Sequence, residues 1–156
     1  MKKEEFMKEA LKEALLAYQE DEVPIGCVIV RNDEIIARSH NIKVQTKNTI
    51  NHAEIVAINR SSSYLDSWYL DECEMYVTLE PCLMCTGAII NSRIKKVYFA
   101  TEDQKGGGII SSIKISDVKN LNHYPEIECG LYKEEASQLL KDFFKEKRNK
   151  SKHKLD

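Results

Sequence analysis

Two short segments of this 156-residue chain carry residue types that can bind a metal ion and move protons. The first segment is His52-Ala53-Glu54, and the second is Pro81-Cys82-Leu83-Met84-Cys85. A structural zinc site normally has four protein ligands, whereas a catalytic site has three and keeps its fourth position open for water. One histidine and two cysteines give three ligands. No fourth is evident, since the other histidines are isolated along the chain: His40, His123 and His153.

The cysteine pair by itself is a weak signal. A single C-x-x-C can be a redox pair, half of a structural zinc site or a coincidence. A redox pair does not need an H-x-E elsewhere, and a structural zinc site would need a second C-x-x-C or a histidine pair. A plainer alternative is a surface histidine and glutamate with two core cysteines. The combination of H-x-E with P-C-x-x-C, however, is typical of zinc-dependent nucleobase deaminases.

Each segment is expected to begin a helix. A proline suits the first helical position because it lacks the N–H group that would be unsatisfied there, so Pro81 predicts a helix that ends near Ser92. Cys82 and Cys85 then lie three residues apart, on one side of that helix. His52 begins another helix. The positive ends of both helix dipoles would therefore point at the metal and favour thiolates.

These segments give roles to four residues. His52, Cys82 and Cys85 are the expected zinc ligands, and Glu54 is the expected catalytic proton shuttle. In such deaminases zinc activates a water molecule, which attacks the ring carbon bearing the amino group. The glutamate takes a proton from the water and delivers it to a ring nitrogen and then to the departing ammonia. A regular helix would point residues 52 and 54 apart, so both can reach one site only where the helix has just begun.

The rest of the sequence predicts the elements that position these segments. Hydrophobic periodicity predicts helices, besides the one after Pro81, over residues 4–18, 52–60 and 134–148. β-branched and aromatic runs predict five strands, at residues 27–31, 34–39, 74–79, 96–101 and 126–131. Residues 40–51 are expected to form a polar loop, and residues 109–121 one or two helical turns. Strands alternating with helices in the second half indicate an α/β fold with layers around one mixed sheet.

Composition excludes several classes of protein. Hydrophobic residues make up 42% and charged residues 31% of the chain, a balance that excludes intrinsic disorder for most of it. The longest uncharged apolar run, residues 23–30, is too short to cross a bilayer. The first residues mix lysines with glutamates, which is untypical of signal and transit peptides. Five cysteines without a secretory signal indicate a reducing cytoplasm. Three of them are expected in the core: Cys27, Cys73 and Cys129.

Charge is distributed unevenly, although the net charge is only −2. Residues 145–154 carry six lysines or arginines and a single acid. The predicted organisation is one zinc-dependent deaminase domain over residues 1–148 and a basic, flexible tail over residues 149–156. Such a tail can contact nucleic acid. A solvated helix end is an equally good interpretation of this feature alone.

Beyond these motifs, the chain resembles the bacterial tRNA-specific adenosine deaminases, which convert adenosine to inosine at the wobble position of the anticodon. The H-x-E and P-C-x-x-C pair is shared with cytidine, guanine and other deaminases, so it fixes only the superfamily. The narrower resemblance extends over nearly the whole chain. It rests on these flanking segments: Glu22-Val23-Pro24-Ile25-Gly26, Val77-Thr78-Leu79-Glu80, Ser92-Arg93-Ile94, Asn122-His123 and Asp142-Phe143-Phe144-Lys145.

The resemblance implies a cytidine-deaminase-like, three-layer α/β fold with a central mixed five-stranded sheet flanked by helices. It also implies a cytoplasmic homodimer with one Zn²⁺ per subunit, a tRNA anticodon stem-loop as partner, and no membrane partner. The expected target, adenosine 34 of the arginine tRNA with anticodon ACG, comes from the family alone. The substrate-binding residues that the resemblance implies are Asn41, Ala53, Pro81, Asp103, Lys105, Asn122, Phe144 and Arg148.

Two of these substrate residues also have physical arguments of their own. Asn41 lies eleven residues before His52, and its amide can donate and accept at once, which suits an adenine edge. Phe144, near the end of the last helix, is expected to be exposed. Phe143 falls on the apolar stripe with Leu139 and is expected in the core.

Two other functions stay open from the sequence. A guanine deaminase, or another deaminase of free bases or nucleosides, would use the same zinc site on the same fold, although the basic tail and the terminal helix favour RNA. A non-catalytic, zinc-containing RNA-binding module would need a fourth protein ligand and a dispensable Glu54. The absence of an evident fourth ligand favours catalysis.

Overall fold

A computed structural model describes residues 2–155 of the chain, and the side chains of residues 2–151. Within this range five α-helices form: α1 (Lys3–Gln19), α2 (Lys43–Thr46), α3 (Ala53–Leu65), α4 (Leu83–Ser92) and α5 (Lys133–Leu155). A 3₁₀ turn covers Ile115–Asp117. The strands are β1 (Gly26–Arg31), β2 (Glu34–His40), β3 (Cys73–Leu79), β4 (Lys96–Thr101) and β5 (Glu126–Cys129).

The five strands form one mixed sheet in the order β2-β1-β3-β4-β5. β1 is antiparallel to both β2 and β3. β3, β4 and β5 run parallel to one another. The mixed five-stranded α/β sheet predicted from the sequence is therefore confirmed.

Helices cover both faces of the sheet, because successive strand residues point to opposite sides. Val28 and Tyr76 belong to a core that includes residues of α1 and α5. Their neighbours Ile29 and Val77 belong to a second core that includes residues of α3 and α4. The molecule is thus built in three layers, with the sheet in the middle.

Several connections leave the sheet at the same end of its strands. His40, the last residue of β2, lies opposite Gly26, the first residue of β1. The Gly26 N–H donates to Thr78 Oγ1 at 3.1 Å, which places the start of β1 and the end of β2 next to the end of β3. The last residues of β3 and β4, Leu79 and Thr101, pair with each other. The segments that follow β2, β3 and β4 therefore start side by side.

A hairpin joins β1 and β2 at their other end, and the register between the two strands shifts once, between Ile29 and Val30. Asn32 and Asp33 form the turn, as their residue types predict. Both adopt the left-handed conformation, with φ of 52° and 60°. Asparagine and aspartate tolerate this conformation better than most residues.

Three local predictions are wrong. The predicted loop over residues 40–51 contains the short helix α2. Pro81 does not occupy the first helical position of α4, because Cys82 is the N-cap and Pro81 precedes it. Cys129 is exposed rather than in the core, since it ends the edge strand β5. The other two cysteines expected in the core are buried.

The last helix also runs further than predicted. α5 continues to Leu155, beyond the predicted domain end at residue 148. Its final part is rich in lysine and contains neither glycine nor proline, so nothing in its sequence stops a helix. Asp156 and the side chains of residues 152–155 lie outside the described part of the chain, and the flexibility of the tail stays a prediction. Across the described residues, no helix has both the length and the apolar character that crossing a bilayer requires.

Candidate active site

The structure brings His52, Cys82 and Cys85 together. His52 Nδ1 lies 3.7 Å from Cys82 Sγ and 3.7 Å from Cys85 Sγ. Zinc binds sulfur at about 2.3 Å and nitrogen at about 2.0–2.1 Å, which sets the ligand atoms of a tetrahedral ion roughly 3.6 Å apart. The three residues therefore fit zinc, with the imidazole binding through Nδ1. They are the one such group of possible metal ligands among the described residues.

Both ligand segments lie at helix N-termini. His52 is the N-cap of α3 and has an extended backbone, with φ −69° and ψ 154°. Cys82 is the N-cap of α4, with φ −72° and ψ 175°. Because His52 is not yet in the helix, the regular rotation that would separate it from Glu54 does not apply. The positive ends of both helix dipoles point toward the thiol groups and favour their ionised form.

Cys82 is held in the form that binds metals. Its hydrogen bond with Cys85 lowers the pKa of Cys82 to about 4, and a hydrogen bond with His52 acts in the same direction against the effect of burial. The pKa of Cys85 is raised because its thiol shares the hydrogen bond with Cys82 and is buried. The thiolate is the form that coordinates metal, and a bound metal ion displaces such a shared proton.

Glu54 lies beside this group without belonging to the ligand set. Its side chain is 4% exposed, and its carboxyl group is within hydrogen-bonding reach of the Cys85 thiol. Burial raises the pKa of Glu54 to about 7, and the negative charge of Cys82 adds to the rise. A carboxyl group whose pKa is near neutrality can both accept and release a proton.

Residues at the end of β2 and directly after it fix the start of α3. Asn41 Oδ1 accepts a hydrogen bond from the Ala53 N–H at 2.8 Å, and the Ser39 hydroxyl donates to the Ala53 carbonyl at 2.6 Å. The Asn41 amide nitrogen has no partner within the described part of the chain. The sequence predicts that the Asn41 amide both donates and accepts toward a ligand, whereas in the structure its NH₂ group is the part available at the cavity.

A cavity of about 500 Å³ opens over the His52 imidazole. Its polar lining comes from Asn41 and Lys43 and from the segment after β4, which contributes Glu102, Asp103 and Gln104. Its apolar lining consists of Val23, Ile25, Leu79, Leu140 and Phe144. The volume lies within the range of sites that bind small organic groups.

A second cavity of about 280 Å³ continues the first along α5. The two cavities share Leu79, Glu102, Leu140 and Phe144, and the second extends to Arg148. Phe144 is 44% exposed and Phe143 is 5% exposed, so both predictions about these rings are confirmed.

The implied substrate residues do not all lie in these cavities. Ala53 and Pro81 are buried, and the Pro81 carbonyl accepts a hydrogen bond from the Gly108 N–H at 2.8 Å. Both therefore shape the site through their backbones. Lys105 and Asn122 are exposed and do not line either cavity.

Sequence reasoning missed Lys43 and the residue that positions it. The buried carboxylate of Glu22 accepts hydrogen bonds from the N–H groups of Val44 at 3.0 Å and Gln45 at 2.8 Å, which fixes α2 at the rim of the cavity. A four-residue helix is too short to show periodicity, so no pattern in the sequence could have revealed it. The segment from Glu22 to Gly26 was noticeable only as part of the family resemblance.

Comparison with known proteins places the chain in a family. Residues 1–148 match the family model of the MafB19-like deaminases. A tRNA-specific adenosine deaminase of Aquifex aeolicus is 47% identical over 150 residues, which are 96% of this chain and 98% of that protein. The chain belongs to the tRNA-specific adenosine deaminase family. A relative of the same name from Bacillus subtilis is 44% identical over 147 residues, covering 94% of this chain and 91% of that protein.

Solved structures agree with this family assignment. One structure, from biochemical and structural studies of A-to-I editing by tRNA:A34 deaminases at the wobble position of transfer RNA, matches with a TM-score of 0.85 and 38% identity. The match covers 87% of this chain and 99% of that one. A guanine deaminase from Bacillus subtilis matches less of the molecule, with a TM-score of 0.63, 36% identity, and coverage of 65% of this chain and 66% of that one. The cytidine-deaminase-like fold expected from the resemblance is confirmed.

The metal site can be tested by replacing its thiols one at a time. We expect Cys82→Ser and Cys85→Ser to lose bound zinc, because three ligands leave none to compensate. Cys129→Ser is the matched control, since Cys129 is exposed and lies outside the ligand group. Elemental analysis of the purified proteins gives the zinc content per chain. Full zinc content in both site variants would refute the assignment.

Proposed function

We propose that this protein is a zinc-dependent hydrolase that converts adenosine to inosine at position 34 of tRNA. The family's chemistry consumes one water molecule and releases one ammonia molecule. The observation that carries the proposal is the grouping of His52, Cys82 and Cys85 beside a buried Glu54, under a cavity that opens to solvent. The relatives described above, which are named for tRNA and for its adenosine 34, support the substrate.

The finer parts of the proposal rest on the family. They are one Zn²⁺ in each subunit of a homodimer, a cytoplasmic location, and the arginine tRNA with anticodon ACG as substrate. The basic residues in the last part of α5 support an RNA partner, because lysine and arginine side chains neutralise phosphates. Among the described side chains they include Lys147, Arg148 and Lys150.

The protein's own groups account for the proton transfers. Zinc, when bound, activates the attacking water. Glu54 accepts the proton that this water loses and passes it to the base and then to the departing amino group. One carboxyl group can serve both transfers because burial raises the pKa of Glu54 to about 7, near neutrality. The C–N bond breaks as ammonia leaves, and the ring carbon keeps the oxygen of the water.

The cavity walls give the base its orientation. The Asn41 NH₂ group is a donor for a lone pair on the base edge, since its carbonyl oxygen is already used by Ala53. Phe144 is the exposed aromatic ring at the mouth of the cavity, where an unstacked nucleotide can stack on it. Arg148 lies one helical turn further along and can meet a phosphate.

The proposal predicts deamination of RNA rather than of free guanine. We expect an anticodon stem-loop with adenosine at position 34 to release ammonia and yield inosine, identified by mass spectrometry of the product. Free guanine is the comparison substrate, because the guanine deaminase fold is similar over about two thirds of the chain. Turnover of guanine alone would replace the proposed function by the alternative.

The same assay tests the proton shuttle. We expect Glu54→Gln to keep the zinc and lose activity about 10²–10⁴-fold, because glutamine has the same shape and cannot carry the proton. Glu34→Gln, an identical change on the exposed hairpin, should keep full activity. An active Glu54→Gln enzyme would mean that another group moves the proton.

Asn41 offers a second test, because its two amide atoms have different roles. Asn41→Asp keeps an oxygen for the Ala53 N–H but removes the donor, so we expect kcat/KM to fall about tenfold or more with little change in melting temperature. Asn41→Ala should lower both quantities. Unchanged kcat/KM in Asn41→Asp would remove the amide from the recognition of the base.

A further inference from the structure

Glu80 is a buried carboxylate that the deamination chemistry does not use. It lies between Leu79, the last residue of β3, and the segment that carries Cys82. Its side chain is 2% exposed. A charged group in such a place is stable only if its hydrogen bonds are satisfied.

Five donors converge on the Glu80 carboxylate, and all of them come from the segment that follows β4. They are the N–H groups of Asp103, Ile109, Ile110 and Ser111, at 2.8–3.1 Å, and the Ser111 hydroxyl. Oε2 accepts the three consecutive N–H groups, and Oε1 accepts the Asp103 N–H and the hydroxyl. The hydrogen bond with Ser111 and those with the backbone hold the pKa of Glu80 below its usual value, against the effect of burial.

The backbone of the same segment also contacts the metal-ligand segment. Gly107 forms a β-bridge with Cys82. A Cβ atom at Gly107 would lie 2.3–2.5 Å from the Glu80 carboxyl atoms, so only glycine allows this approach. The Gly108 N–H donates to the Pro81 carbonyl at 2.8 Å. Residues 102–112, which we call the rim loop, are thus fixed to the turn between β3 and α4.

The rim loop reaches the substrate cavity at one end. Asp103 and Gln104 line the cavity, and Asp103 donates its N–H to Glu80 at 3.1 Å. The other end of the loop closes back on itself, since the Ser112 hydroxyl donates to the Lys105 carbonyl at 2.6 Å. Glu80 therefore joins the wall of the cavity to the segment that supplies a zinc ligand.

We propose that Glu80 is a positioning residue for the deamination, which holds the rim loop at the fixed place from which it binds the substrate. This inference rests on the proposed function. Glu80 does not touch the reacting atoms, and it acts through Asp103 and Gln104. Its effect should therefore appear in the binding of RNA and in the mobility of the loop, and not in the proton transfers of Glu54.

Glu80→Gln is the sharpest variant, because it changes one oxygen into an NH₂ group. The glutamine oxygen can keep the hydrogen bonds from the three consecutive N–H groups. Its new NH₂ group then faces the Asp103 N–H, and two donors cannot form a hydrogen bond with each other. The Asp103 end of the loop should loosen while the rest stays attached. Losing one charge-assisted hydrogen bond corresponds to a change of about tenfold or more in a local equilibrium.

Two measurements on the zinc-loaded protein test the proposal. Amide hydrogen exchange should speed up about tenfold or more at the Asp103 end of the rim loop in Glu80→Gln, and this readout does not depend on activity. In the assay on the adenosine-34 stem-loop, KM should rise about tenfold with kcat and zinc content kept. Ser111→Ala, which removes a single donor, should shift both readouts in the same direction by less, and it replaces Glu80→Gln if that variant does not fold.

Val30→Ala is the control for general destabilisation. Val30 is buried at the end of β1 that lies away from the cavity. The Val30→Ala change should lower the melting temperature and leave the KM and the hydrogen exchange of the rim loop unchanged.

Unchanged hydrogen exchange of the rim loop in Glu80→Gln and Ser111→Ala, or an equal rise in KM in Val30→Ala, would overturn the proposal. Loss of zinc in Glu80→Gln would overturn it as well. If the wild-type protein failed to deaminate the stem-loop, the proposed function would be wrong. The exchange measurement would still show whether Glu80 holds the rim loop in place.

Discussion

The site depends on the distance between two helix N-termini. His52 is the N-cap of α3 and Cys82 is the N-cap of α4, and the imidazole nitrogen lies 3.7 Å from the sulfur atoms of Cys82 and Cys85. A tetrahedral zinc ion accepts a separation of roughly 3.6 Å, and small displacements of either helix would spoil its geometry. The sheet contributes to this distance, because α4 follows the end of β3, and residues at the neighbouring end of β2 bond Ala53 at the start of α3.

Side chains that form hydrogen bonds with backbone groups hold the connections at this end of the strands in place. Ser39 and Asn41 bond both polar groups of Ala53 and so fix the start of α3. Glu22 bonds two N–H groups of α2, and Glu80 bonds four in the rim loop. A site held in this way is preorganised: its groups need not be ordered when a substrate arrives, which lowers the entropic cost of reaching the reactive geometry.

The grouping of His52, Cys82 and Cys85 could be predicted from the sequence because its signal is local. Two segments of three and five residues carry it, and the strands around them are marked by runs of β-branched and aromatic residues. What the sequence could not show depends on partners far along the chain. The sequence predicts Pro81 at the first helical position, but α4 begins only after Cys82. It predicts Cys129 in the core, but Cys129 is exposed because β5 is an edge strand. The anchoring by Glu80 joins residues about thirty apart, and no local pattern reports such a bond.

The central claim is a zinc ion with three protein ligands and one open position. X-ray absorption at the zinc edge, measured on the purified protein in solution, tests it most directly. The account predicts two sulfur atoms at about 2.3 Å, one imidazole nitrogen at about 2.0–2.1 Å and one further light atom, as expected for solvent. A shell of three or four sulfur atoms, or of four ligands that all come from the protein, would contradict it.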